Sequence, residues 1–173
     1  KLYDAYGITG IQDSQWEDTK TYYDMVCRDC GLKQITDIEQ YMDAVSREDY
    51  TVLIAVKGDG MTFLEESVKE DFRQMGLFMD YTENSSYFAV IHEGKIEEGT
   101  SKEILVHHGS IGNRLTDYEI KSAGWDSTYD VCASIKINDE EWARNGNGIN
   151  VVIYRNERKQ VVDSVSYDGE FKR

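Results

Sequence analysis

Cys27-x-x-Cys30 carries the spacing most suggestive of chemistry, because two thiols three residues apart serve zinc, redox exchange or a local disulfide. A zinc centre would need two further ligands, and the donors on offer are His92, His107, His108 and Cys132. His107 and His108 are adjacent, and neighbours on a strand point to opposite faces, so both cannot easily reach one ion. No βαβ pattern of a thioredoxin surrounds the pair. That leaves a local disulfide or two thiols closing a helix, with Cys132 buried as a small apolar residue. A catalytic triad would need a nucleophile on a strained turn such as G-x-S-x-G, which the chain lacks, so the histidines read as solvated side chains near strand ends. A glycosidase could hide its two carboxylates among 33 acidic residues, yet no pair stands out. Asp139-Glu140-Glu141 lacks the spaced ligands of a calcium loop and reads as a solvated turn. No catalytic residue, metal or cofactor is expected.

Two further groups of residues suggest binding. Asn145-Gly146-Asn147-Gly148 leads into the alternating run Ile149 to Ile153, a polar loop from Arg155 to Gln160 reverses the chain, and a second run ends on Tyr167-Asp168. Asp163 falls in register with Val161, Val165 and Tyr167, on what should be the apolar face. A buried carboxylate is costly unless bonded, so Asp163 either accepts N–H groups from the N-G-N-G turn and braces it, or turns outward at a bulge. Trp125, in Ser122-Ala123-Gly124-Trp125-Asp126, ends a strand in a polar loop and is a candidate platform for a sugar ring. Trp16 and Trp142 also flank turns. For each of the three, partial burial in the core is the competing reading.

The elements that must position these residues are legible from periodicity. Asp18 to Val26 reads as a helix with Tyr22, Tyr23 and Val26 on one face, ended by Cys27 to Gly31. Thr36-Asp37-Ile38-Glu39 and Thr62-Phe63-Leu64-Glu65 both have the spacing of capping boxes. The first is followed by the stripe Ile38, Tyr41, Met42, Val45, the second by Leu64, Val68, Phe72, Met75 and a stop at Gly76. Tyr50 to Val56 is almost continuously apolar, which predicts a central strand covered on both faces. Tyr118 with Ile120, Ile135 with Ile137, and Ile149 with Val151 and Ile153 alternate with polar neighbours, which predicts strands with one wet face. Proline is absent, so turns fall to Gly, Asn and Asp. The expected fold is α+β, with helices flanking a mostly antiparallel sheet or two facing sheets in a single compact domain, residues 1–47 helical and 48–173 strand-rich.

Composition narrows the partners. At 173 residues the chain can bury roughly 70 % of its unfolded surface and needs no metal or disulfide framework to fold. A net charge of −14 disfavours nucleic acid and anionic membrane surfaces. No apolar run reaches the roughly 20 residues of a spanning helix, so no membrane insertion by this segment is expected. The chain opens on Lys1 with no signal peptide, as expected of a processed or excised piece.

The N-G-N-G hairpin resembles the N/G-[RK]-G-[LI]-N-[IV]-V and V-[LM]-[DAG]-x-x-x-F-D blocks of the interleukin-like EMT inducer (ILEI, FAM3-like) domain. That domain occurs in secreted cytokine-like proteins, in the stem of a protein O-mannose N-acetylglucosaminyltransferase and in bacterial extracytoplasmic proteins. Asp49 to Gly60, the helix after it and Ser85 to Val90 resemble the family's strand, acidic turn, helix and R-D-[ST]-W-x-[FV] strand. The block order is reversed here, as a circular permutation or an exchange of halves between chains would produce. The resemblance implies binding without turnover, in an extracytoplasmic, secreted or cell-surface setting. Its sugar-contacting positions fall on Asn147, Asp59 and Asn84, with asparagine where the family has arginine at the first and last, and the aromatic of the third block falls on Tyr87. Gly146, Gly148, Asp163 and Asp168 are the structural positions of the hairpin. Two readings follow: a carbohydrate-binding domain of a larger surface protein, of the bacterial kind the resemblance includes, or a protein-interaction module that pairs through an exposed strand edge.

Overall fold

The computed structural model describes residues 13–46, 49–60, 62, 64–78, 84–112 and 116–173, with side chains from residue 17 onward. The chain divides into two compact units, residues 1–34 and 35–173. The first contains α1 (Asp13–Leu32). This helix runs through Cys27-Arg28-Asp29-Cys30 instead of ending there, and Tyr22 and Tyr23 are exposed, so they do not form its buried face.

The second unit is α+β. Its helices are α2 (Ile38–Val45) and α3 (Glu66–Gln74). The sheet comprises β1 (Tyr50–Gly58), β2 (Ser86–His92), β3 (Lys95–Ser101), β4 (Leu105–Ile111), β5 (Thr116–Gly124), β6 (Cys132–Ile137), β7 (Glu140–Glu141), β8 (Gly148–Arg155), β9 (Gln160–Tyr167) and β10 (Phe171–Lys172). The order is β10-β9-β8-β1-β5-β6-β7, with β2 and β3 branching from β1 and β4 from β5. Every pairing is antiparallel except β1 with β5.

Strand β1 is the axis of the fold. It pairs with β8 along almost its whole length, with β2 from Thr51 to Ala55, and then with β5 at Lys57 and Gly58. Ser122 fills the fork, donating its hydroxyl to the Val56 carbonyl at 2.5 Å and accepting the Tyr87 N–H at 2.9 Å. Cross-strand partners share a face, so Val52, Ile153 and Asp163 lie side by side, and Tyr41 of α2 donates to Asp163. That face is the helix side. Leu53 and Ala55 point the other way, into a core with Phe88, Val90, Tyr118, Ile120, Ile135 and Val152 inside the curl of the sheet. Both faces of β1 are therefore buried, as its apolar run predicts. The same holds for β8, which is buried throughout and has no wet face. It lies between β1 and β9, and its two sides go to the helices and to the curl.

Both helix starts differ from the expected boxes. Asp37, not Thr36, caps α2 by accepting the Gln40 N–H at 2.9 Å. Helix α3 begins after Glu65 without a side-chain cap, while the Thr62 N–H closes a turn on the Asp59 carbonyl at 2.8 Å. Its end follows the sequence: Gly76 N–H bonds to Arg73 and Leu77 N–H to Phe72, a Schellman motif with Gly76 at φ +93°.

Candidate functional site

The carboxyl end of β1 collects most of the residues singled out by the resemblance. Gly58 sits there at φ +71°, and the Trp125 indole lies against it so closely that a side chain at Gly58 would begin 3.0 Å from Trp125 Nε1. A side chain there would crowd the ring and would sit at a left-handed φ that favours glycine. Trp125 is 57 % exposed, so the rest of its ring faces solvent. The ring is held by a turn, with Ser127 N–H bonded to the Gly124 carbonyl and Asp126 N–H to the Asn84 carbonyl at 3.1 Å. Gly124 N–H in turn bonds to Ser86 Oγ at 3.0 Å. Asn84 and Trp125, far apart in sequence, are thus fixed side by side, with Asp59 next along the chain from Gly58.

The N-G-N-G turn forms the other side. Gly148 pairs with Lys57, and Gly60 packs its backbone against Gly148. Lys57 Nζ donates to the Asn145 carbonyl at 3.0 Å, and Asn145 Oδ1 accepts the Ala133 N–H at 3.0 Å. Gly148 has φ +82°, and any side chain there would collide with the Tyr167 carbonyl and Asp168. Gly146 lies against Ser166. Asn147 at the tip is exposed. Among the described residues, no hydrogen-bond partner engages the side chains of Asp59, Asn84, Trp125, Asp126 or Asn147. The end of β1 therefore carries an exposed indole together with unengaged carboxylate and amide groups, a combination that suits a ring with one apolar face and a rim of hydroxyls.

Several expectations need correction. Tyr87 is 3 % exposed and donates its hydroxyl to Glu98 at 2.6 Å, so it belongs to the core and not to a binding surface. Asp163 is buried but does not brace the N-G-N-G turn. Its carboxylate accepts from Tyr41 Oη at 3.1 Å, Arg173 Nε at 3.3 Å and the Ser164 N–H at 3.0 Å. A bulge does fall beside it, at Val162 of its own strand, where the register slips between Ile153 and Tyr154 of the partner, without turning Asp163 outward. Burial first, and the Asp163 charge second, push the Tyr41 phenol far above its usual range, so it serves as a neutral donor. The brace of the turn is Asn150, which sequence reasoning missed. Fully buried, it accepts the Gly146 N–H at 2.9 Å and donates to the Gly146 carbonyl at 2.8 Å. Its signal was present in the sequence: an amide among apolar neighbours, two residues after a left-handed glycine. Asp168 holds the β9–β10 turn through Lys172 at 2.6 Å.

The other candidates lie elsewhere. Trp142 packs against the core inside the curl, and the side chain of Trp16 lies outside the described residues. Cys27 and Cys30 are free and exposed on α1 and do not close it. His107 is not solvated: it stacks on Phe88 at 4.2 Å and meets Tyr118 Oη at 3.2 Å. His108 points to the opposite face, near Glu119. His92 Nδ1 meets Thr51 Oγ1 at 2.6 Å, but Thr51 is fully buried and closed to any substrate. Among the described residues no three His, Cys, Asp or Glu side chains converge as a metal centre. No described helix is long and apolar enough to cross a membrane.

A groove of about 600 Å³ lies between α2 and α3, lined by Glu39, Gln40, Asp43, Asp71 and Gln74 among others. Its lining has no aromatic ring, and the Ser46 hydroxyl there donates to the Asp43 carbonyl, so for stacking on a ring the end of β1 is the better equipped surface. No protein-family model, curated protein or solved structure matches the chain, and the site is therefore read from its own geometry.

Proposed function

We propose that this chain is a non-catalytic recognition domain that binds carbohydrate at the carboxyl end of β1, as an ILEI-like extracytoplasmic part of a larger surface protein. The observation that carries the reading is the exposed Trp125 indole seated on Gly58, at the end of the sheet that also carries Asp59, Asn84 and Asn147. The ring would stack on a pyranose face while the amides and carboxylates take its hydroxyls. An assembly role through the edge of the β8–β9 hairpin has less support. The outer side of β9 carries β10 at Ser166 and Tyr167, the Ser164 carbonyl accepts from Arg144 Nε, and the Ser164 N–H is taken by Asp163.

A glycan-array screen of the protein, with Trp125→Ala and an Asp59→Ala/Asn147→Ala double variant as controls, tests the proposal. Binding that disappears in both variants, while their melting temperatures stay near the parent's, is the expected result. A blank array with the folded parent, or a hit that survives both variants, would remove the assignment.

A further inference from the structure

We infer that Cys27 and Cys30 form a redox dithiol that closes to an intrahelical disulfide by exchange with a low-molecular-weight disulfide. Both thiols are free and exposed on α1. Three residues apart on a helix, they rise from consecutive turns on one face with Cβ atoms about 5–6 Å apart. A disulfide needs about 3.5–4.5 Å between Cβ atoms, so closure requires a local tightening of roughly 1–2 Å. The last turn can supply it. Gly31 follows Cys30 directly, no atom lies within 4 Å of where a side chain at Gly31 would begin, and α1 ends at Leu32. The terminal turn of a helix has unpaired carbonyls and is the first part to open. A bond closed against that strain is of the labile, reversible kind and not a permanent staple.

The surroundings distinguish this pair from Cys132. Tyr23 lies one turn before Cys27 on the helix, and its neighbour Cys27 is the first cause that raises its phenol above the usual range. Cys132 on β6 is partly buried, and burial pushes its thiol up. In the first step the Cys27 thiolate attacks one sulfur of the small disulfide, the S–S bond breaks and one small thiolate leaves. In the second, the Cys30 thiolate attacks the Cys27 sulfur of the mixed disulfide and expels the other small thiolate. The two protons of the protein thiols end on the two small thiols, and the protein is oxidised by two electrons.

The test treats the full chain, carrying Cys132→Ser, with oxidised glutathione and reads intact mass and free thiols. The expected product has lost both thiols and two hydrogens, holds no glutathionyl group and is restored by dithiothreitol. Adding Cys27→Ser or Cys30→Ser should arrest the reaction at one glutathionyl adduct. Adducts on both cysteines without loss of two hydrogens, a disulfide between chains, or no reaction would each overturn the inference.

Discussion

Trp125 and Asn150 divide the work of the site between them. The indole is exposed and free to meet a ligand, whereas Asn150 is wholly buried and holds the facing turn by returning two hydrogen bonds to Gly146. Truncating Asn150 leaves a backbone donor and an acceptor without partners inside the protein, and such groups cost about 1–3 kcal/mol each. Asn150→Ala is therefore expected to lower unfolding free energy by about 2 kcal/mol in urea titrations and to weaken any ligand that contacts Asn147. A loss below about 0.5 kcal/mol, the range of an ordinary surface change, would mean that the turn keeps its shape without the amide. At this scale the sequence was only partly readable. Asp59, Asn84 and Asn147 were singled out by the resemblance alone, and Trp125 as an aromatic residue that ends a strand in a polar loop. Tyr87 and Asp163 could not be placed from spacing, because what settles them is a partner distant in sequence: Glu98 for the phenol, and Tyr41 with Arg173 for the carboxylate.

The elements were more legible than the residues. Apolar periodicity located α2, the end of α3, β1 and the β8–β9 hairpin, because burial imposes those patterns directly. It misjudged β8, whose Asn150 and Tyr154 mimic a wet face, and it read the strand's last residue, Arg155, as the start of a polar loop. In the structure Asn150 serves the turn, while Arg155 is 1 % exposed, ion-paired with Asp49 at 2.8 Å and bonded to Tyr50 Oη at 2.6 Å. A polar residue that finds its partner inside looks in sequence like one that faces water. The seam between the β2–β3 and β4–β5 hairpins shows the same principle. Tyr118 of β5 is buried there beside His107 and Glu97, and burial, with the Glu97 charge behind it, pushes its phenol up to about 12. The unfolded phenol titrates near about 10, so folding favours the protonated form. The stability this confers is intact below about pH 10 and is lost as pH rises through about 12. Tyr118→Phe is expected to flatten the alkaline fall of stability across that window, measured by urea midpoints at a series of pH values. An unchanged slope would place the phenol in water.

For the second unit as a whole, the hairpin that comes last in the chain pairs with β1 of the same chain. That pairing brings residues 145–148 to the end of the sheet that carries residues 58–60, 84 and 124–126. The groove between α2 and α3 offers more volume at a separate location, and the choice between the two surfaces is the central claim. The most direct measurement is an NMR titration of the isotope-labelled protein with the tightest glycan from the array, following backbone amides and the tryptophan indole N–H signals. The account predicts saturating shifts confined to the Trp125 indole and to Gly58 to Gly60, Asn84, Asp126 and Asn145 to Gly148. Shifts centred on Glu39, Asp43 and Asp71, with the Trp125 indole unmoved, would contradict it.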